Sequence, residues 1–293
     1  MTRTSPADRL RTLLEGSALL RMPCCYDAHT ARLIERAGFP LTFMSGFAVA
    51  AARGFPDTGL LSYGEMQDQG RQICSAVSFP VIGDADTGYG NPMNVRRTVA
   101  GYAAAGFACA MIEDQRAPKR CGHTRGKQVV ERDEALSRVR AAVDARDAGA
   151  DVLIMARTDA RATHGLDEAL WRAQAFADLG VDLLFVEAPT SEAEMERVCG
   201  ATSVPQMANM VEGGDTPILP PNRLESLGYR IAAYPLTLLS AATRAMQQAL
   251  AALGDGTQVE GLLPFAELRE IVGFDAYEAE QARYADASRE EPR

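Results

Sequence analysis

The sequence predicts an α/β fold: a (β/α)8 TIM-type barrel in a single domain over residues 1–293, with 254–293 as a helical C-terminal extension. Three observations predict it. Eight short apolar runs recur along the chain, and most stop at a polar, usually acidic, cluster. Ala-rich amphipathic segments with helical spacing separate most of them. The runs are continuously apolar, as strands buried on both faces are, and their alternation with helices makes such strands parallel. Eight units fit a closed barrel better than a doubly wound open sheet.

In chain order the runs are "LLRMPCCYD" (19–27), "LTFMSG" (41–46), "FPVIGDADTG" (79–88) and "FACAMIED" (107–114), then "VLIMARTD" (152–159), "LLFVEAPT" (183–190), "VPQMANMVEGG" (204–214) and "RIAAYPLT" (230–237). The helical segments between them include "AHTARLIERAG", "NVRRTVAGYAAAG" and "LDEALWRAQAFADLG", whose closing glycines, Gly38, Gly106 and Gly180, sit where a helix C-cap is expected. After the fourth run no clear periodicity returns until a helix beginning near Arg132. That is long for a βα connection and points to a functional or mobile loop. From "GDGTQVEGLLP" onward the tail is again helical and charged.

A net charge of −9 argues against a nucleic-acid binder, because phosphate contacts need a surplus of Lys and Arg. The first residues, "MTRTSPADRLRTLLEG", are charged where a signal peptide needs an apolar core. No apolar run approaches membrane-spanning length. The six cysteines (24, 25, 74, 109, 121 and 199) show neither CxxC pairing nor zinc-like spacing. They read mostly as small core residues in a reducing compartment. The expectation is a cytoplasmic protein without nucleic-acid or membrane partners.

In such a barrel the residues just past each strand line the C-terminal mouth, where active sites form. Here they are Ser45, Gly46, Phe47, Asp84, Asp86, Glu113, Asp114, Arg157, Asp159, Glu187, Asn209 and Pro235. One strand-end Asp commonly caps a helix, but several acids on one rim repel each other unless a cation sits among them. Asp84 and Asp86 of "GDADTGYG", with Asp57 of "GFPDTG" and Glu113, form a hard oxygen set suited to Mg²⁺ and less well to Mn²⁺. The glycines around Tyr89 lack the spacing of a phosphate loop.

The loop "APKRCGHTRGK" (117–127) can be read as a metal site, a nucleic-acid patch, a reactive thiol or a solvated loop. Further zinc ligands are missing, and the residue between Cys121 and His123 separates their side chains on an extended chain. A solvated basic loop does not explain why these cations lie next to an acidic rim. A lid that brings cations and a proton donor onto an anionic substrate does.

"KRCGH" resembles the signature loop of the isocitrate lyase/phosphoenolpyruvate mutase superfamily. The resemblance extends in order through "MSGFAVA", "PDTGLLSYGEM", "DADTGYGN", "IEDQ", "IMARTDA", "EAP" and "ANMVEGGDTP", nearly the whole chain. It implies an α/β barrel with a helix swapped between subunits of a homodimer or homotetramer, Mg²⁺ dependence, and work on α-oxo or α-hydroxy carboxylates. Carried over, it implies that Asp84 and Asp86 hold the metal, with Asp57 and Glu113 holding its water ligands. By the same resemblance, Ser45, Gly46 and Phe47 would grip the retained carboxylate, Arg157 would bind substrate, and Glu187, Asn209 and Pro235 would surround it. Lys119, Cys121, Gly122 and His123 belong to the gating loop, with Cys121 the general acid of the lyase branch.

Two departures bear on the substrate. Where 2-methylisocitrate lyases carry arginines that clamp a third carboxylate, this chain offers Ser240 and Phe265. That resembles the 2,3-dimethylmalate lyase and petal death protein branch. The resemblance therefore implies a carbon–carbon lyase that splits an alkyl-substituted 2-hydroxy dicarboxylate into a 2-oxo acid, such as pyruvate, and a carboxylate. The alternatives are 2-methylisocitrate lyase, a carboxyphosphonoenolpyruvate or phosphoenolpyruvate phosphonomutase, an oxaloacetate-cleaving relative, and a non-catalytic scaffold.

Overall fold

A computed structural model describes residues 4–122 and 126–287, with side chains as far as residue 284. In chain order it runs α1 (Pro6–Glu15), β1 (Leu20–Cys25), α2 (Ala28–Arg36), β2 (Thr42–Met44), α3 (Gly46–Ala52), α4 (Tyr63–Ala76), β3 (Val81–Asp84), α5 (Pro92–Ala105), β4 (Cys109–Glu113) and α6 (Arg132–Asp147). There follow β5 (Leu153–Thr158), α7 (Ala160–His164), α8 (Leu166–Asp178), β6 (Leu183–Val186), α9 (Glu192–Gly200), β7 (Gln206–Asn209), α10 (Pro221–Leu227), β8 (Tyr229–Tyr234), α11 (Thr237–Gly254), α12 (Phe265–Val272) and α13 (Phe274–Ala287). The chain divides into two compact units, Met1–Ser240 and Ala241–Arg293. The division falls inside α11.

In the first unit β1 to β8 form a closed barrel in sequence order, and β1 pairs with β8 in parallel. Each of the eight apolar runs coincides with one strand, β8 starting one residue ahead of its run. The helices start where local chemistry permits. Asp27 accepts the Thr30 amide at 2.7 Å at the head of α2, Ser62 and Glu65 form a reciprocal cap on α4, and Asn91 with Pro92 opens α5. Gly38, Gly106 and Gly180 take positive φ of 80°, 97° and 86° at the ends of α2, α5 and α8, as their positions predict.

The pleat sorts each strand into two columns. On β4, Cys109 and Met111 join the buried cluster inside the barrel, while Ala110 and Ile112 face the helical layer; Glu113 is the next inward position. On β5 the inward column is Leu153, Met155 and then Arg157, and on β6 it is Leu183, Phe185 and then Glu187. Register aligns them, pairing Cys109 with Leu153, Met111 with Met155 and Glu113 with Arg157. Apolar layers therefore fill the barrel, and the next inward residue of each column is polar and lies at the mouth. Ala7 and Leu10 of α1 belong to the same interior cluster.

Behind the mouth, Asp114 is buried and accepts from Thr158 Oγ1 at 2.6 Å, the Asp159 amide at 2.9 Å and Arg172 at 3.0 Å. Arg172 also pairs with Glu168 at 2.8 Å, and Glu168 meets Arg132. The second unit has its own order: Gly273 turns α12 into α13 with φ 95°, and Arg269 lies 4.8 Å from the Phe274 ring centroid. Among the described residues no helix is long and apolar enough to cross a membrane.

Hydrogen bonding from Arg132, reinforced by Arg172, holds the Glu168 carboxyl down to about 2. A depressed carboxylate contributes stability above its unfolded value, which is lost as pH falls toward about 2. Glu168→Gln should therefore flatten the fall in stability between about pH 5 and pH 2.5, read as urea midpoints at constant m-value. Parallel curves for the two proteins would remove this pair from the acid sensitivity.

Candidate active site

The inward columns end around a cavity of about 60 Å³, room for roughly four to six waters. That suits a small carboxylic acid rather than a nucleotide. Ser45, Phe47, Asp57, Asp84, Glu113, Lys119, Cys121, Gly122, Arg157, Glu187, Asn209 and Pro235 all line it. Of the other expected residues, Gly46 and Asp86 lie on an adjoining recess that shares Asp57 and Lys119. His123 lies outside the described residues.

Lys119 organises one side. Its Nζ stands 2.5 Å from Asp57 Oδ1 and 2.7 Å from Asp86 Oδ1, and the residue is only 6% exposed. Burial opposes its charge, but Asp86, Asp84, Asp57 and Glu113 outweigh that and raise its pKa well above the ordinary value. Asp84 is anchored from below and beside: its carbonyl accepts from Tyr102 at 2.7 Å, and its Oδ2 from the Gly46 amide at 3.1 Å. A Cβ on Gly46 would come within 2.5 Å of Asp84 Oδ2, so glycine is needed for this approach. Asp86 itself sits at φ 49°, a conformation Asp tolerates better than most residues.

Arg157 organises the other side. Its Nε meets Asp159 at 2.8 Å and Glu113 at 3.3 Å, and its Nη2 meets Glu187 at 3.0 Å. Phe185 lies 5.0 Å beneath the guanidinium. Asn209 Nδ2 donates to both Glu187 oxygens, at 3.3 and 3.2 Å. Burial pushes Glu113 well above the carboxylate range despite Arg157, whereas Arg157 overrides burial at Asp159 and lowers it. The difference follows from geometry, since Asp159 takes two bonds from the guanidinium.

Among the described residues no three His, Cys, Asp or Glu side chains converge as a ready-made metal set. Asp57, Asp84, Asp86 and Glu113 were expected to share one cation, and the Lys119 ammonium stands among them. The residues nonetheless fit a hard divalent ion. Their donors are carboxylate oxygens, Glu113 Oε1 is buried without a hydrogen-bond partner, and burial pushes Asp86 up to about 6 even beside Lys119.

The order and chemistry of these residues match a known family. The phosphoenolpyruvate phosphomutase family model matches residues 10–253. The chain belongs to the phosphoenolpyruvate mutase/isocitrate lyase superfamily. It is 41% identical to 2,3-dimethylmalate lyase of Eubacterium barkeri, covering 95% of this chain and 98% of that one. It is 40% identical to a probable 2-methylisocitrate lyase of Corynebacterium glutamicum, covering 94% and 92%. An oxaloacetate acetylhydrolase structure with 3,3-difluorooxalacetate superposes with TM-score 0.91 at 36% identity, covering 96% and 97%. A phosphonopyruvate hydrolase with oxalate and Mg²⁺ superposes with TM-score 0.85 at 29% identity, covering 96% and 99%. This chain is an enzyme of the carbon–carbon lyase type.

Sequence reasoning missed the cavity's apolar wall: Cys24, Phe43, Met111, Phe185, Met207, Val211, Ala233 and Leu236. The signal was present, because Phe43, Met111, Phe185 and Met207 each stand two positions before an expected site residue. Phe265, expected as an apolar specificity residue, belongs to the second compact unit and is 76% exposed. Cys24 is a buried thiol whose pKa is raised, chiefly by burial and then by Cys25, so it is a neutral wall group.

Gly122, like Gly46, leaves no room for a side chain at the mouth. A Cβ there would lie 2.5 Å from Arg157 Nη2 and 2.6 Å from Glu187 Oε2. Gly122→Ala should lower kcat/KM by at least about tenfold, through a displaced charge-assisted pair, while the thermal midpoint falls by only a few degrees. Wild-type turnover in this variant would show that the close approach is not required.

Proposed function

We propose that the chain is a Mg²⁺-dependent lyase that cleaves the C2–C3 bond of an alkyl-substituted 2-hydroxy dicarboxylate. The products are a 2-oxo acid such as pyruvate and a simple carboxylate. The observation that carries this reading is one small cavity with two kinds of wall. Arg157, Glu187, Asn209 and Ser45 supply polar contacts, and Phe43, Met207, Val211 and Leu236 an apolar surface. An alkyl substituent gains there about 0.8 kcal/mol per buried CH₂. Lys119 and Arg157 are held by carboxylates, and Arg120, whose guanidinium is beside Gly126, also lines the cavity.

Bound at Asp84 and Asp86, with Asp57 and Glu113 holding water, the cation would supply a Lewis acid for the substrate's carboxylate and hydroxyl oxygens. Ser45, Gly46 and Phe47 hold the carboxylate of the 2-oxo product. Arg157 stabilises negative charge as it develops. The hydroxyl O–H bond breaks, its oxygen becomes the carbonyl, and the C2–C3 electron pair passes to the departing carboxylate's α-carbon. Cys121 then gives its thiol proton to that carbon and is reprotonated from water, which has taken up the hydroxyl proton, so atoms and charge balance. Lys119 and His123 act with it in the loop, with Lys119 balancing the acidic side.

Exposed Leu262, Leu263, Phe265, Phe274, Tyr277 and Tyr284 in the second unit support assembly into a homodimer or homotetramer through its helices. A cytoplasmic enzyme without nucleic-acid or membrane partners is consistent with the net charge of −9.

A panel of hydroxy acids, read as 2-oxo acid release, tests the reading. Turnover should stop in EDTA and return with Mg²⁺ or Mn²⁺. Alkyl-substituted malates such as 2,3-dimethylmalate should exceed 2-methylisocitrate in kcat/KM by on the order of tenfold or more. If 2-methylisocitrate wins, the ordinary tricarboxylate lyase assignment replaces this one. Cys121→Ser keeps the side chain's size but makes it a far weaker acid, so kcat should fall by roughly 10²–10⁴-fold while the fold survives. Wild-type kcat in the serine variant removes Cys121 from proton delivery.

A further inference from the structure

The chain has only two lysines among its 30 Lys and Arg residues, and both lie within residues 119–127. Everywhere else the cation is arginine. Lys119 is absorbed by the acidic cluster described above. Lys127 is not explained by that cluster, yet its side chain is only 5% exposed. Its Nζ donates to the Gly122 carbonyl and to Asp159 Oδ1, the latter at 3.1 Å.

Those two acceptors belong to different parts of the site. Gly122 follows Cys121 and packs against Arg157 Nη2 and Glu187 Oε2 so closely that a Cβ would not fit. Asp159 is fully buried and is the bidentate partner of Arg157, through Nε at 2.8 Å and Nη2 at 3.1 Å. Asp159 is itself set by its amide, which donates to Asp114 at 2.9 Å. One ammonium thus ties the backbone beside the acid Cys121 to the counter-ion of Arg157.

We infer that Lys127 is a positioning residue that pins the Cys121–Gly122 backbone onto the Arg157–Asp159 pair. The inference deepens the lyase reading, on which it rests for its kinetic consequence. A tetrahedral ammonium can bridge a carbonyl and a carboxylate that approach from different directions, where a planar guanidinium fork favours one coplanar partner. With Lys127 in place, Asp159 is satisfied on both sides and Arg157 keeps its orientation toward Glu113 and Glu187. Without it, a buried carboxylate loses one of its two cations, and Gly122 loses the bond that holds it in the crowded position.

The two lysines also supply the test. A protease that cuts only after lysine can cleave this chain only at 119 and 127, so accumulation of the 1–119 fragment reads release of this segment. Lys127→Met removes the ammonium at similar length, and Lys127→Arg keeps a cation; both leave Lys119 as the single cleavage site. The 1–119 fragment should form about 10- to 100-fold faster in Lys127→Met than in wild type, the factor expected for a lost charge-assisted bond. kcat for the best hydroxy acid should fall by a similar factor with KM changed less, and Lys127→Arg should recover part of both. Unchanged cleavage in Lys127→Met overturns the pin, whatever happens to kcat. Faster cleavage in a protein that turns over none of the hydroxy acids supports the pin and removes the lyase reading instead.

Discussion

Six carboxylates converge at the mouth of this barrel: Asp57, Asp84, Asp86, Glu113, Asp159 and Glu187. The side chains of Asp57, Asp86, Glu113, Asp159 and Glu187 are each less than a tenth exposed. Burying one charge of this kind costs several kcal/mol even after relaxation, so the cluster exists only because cations are built into it. Lys119 balances Asp57 and Asp86, and Arg157 balances Asp159, Glu187 and part of Glu113. Burial, with the neighbouring carboxylates adding to it, still raises Asp86 and Glu113.

The barrel makes that concentration of charge possible. Closed pairing satisfies the backbone of every strand without an edge, and apolar layers of Met, Leu, Ile and Phe fill the interior below the polar rim. The charged residues then need no flexible support. Glu113, Arg157 and Glu187 extend the inward columns of β4, β5 and β6, and the register sets Glu113 opposite Arg157. Rigid columns from below and a loop from above enclose the space where a small acid fits.

The loop enters the same electrostatics. The carboxylates suited to a divalent ion also hold Lys119, so the position of the loop and the charge of the cation act on one set of oxygens. On the Arg157 side Lys127 plays the corresponding part through Asp159. Cys121 and Gly122 lie between these two anchors in the chain.

Much of this was legible in the sequence because it depends on local order. Eight apolar runs gave eight strands, and strand-end position alone picked out Ser45, Asp84, Glu113, Arg157, Glu187, Asn209 and Pro235, all of which meet at one cavity. What lies at a strand end is set by the chain itself, since a barrel sends every such end to the same face. Tertiary structure alone decided which charge pairs with which. That Lys119 stands among the acids, that Lys127 bridges Gly122 to Asp159, that Phe43, Met207 and Val211 form the apolar wall, and that the first compact unit stops at Ser240 all depend on distances between residues far apart in sequence. Composition and periodicity carry no record of those distances; they appear only when closure of the sheet fixes the columns against one another.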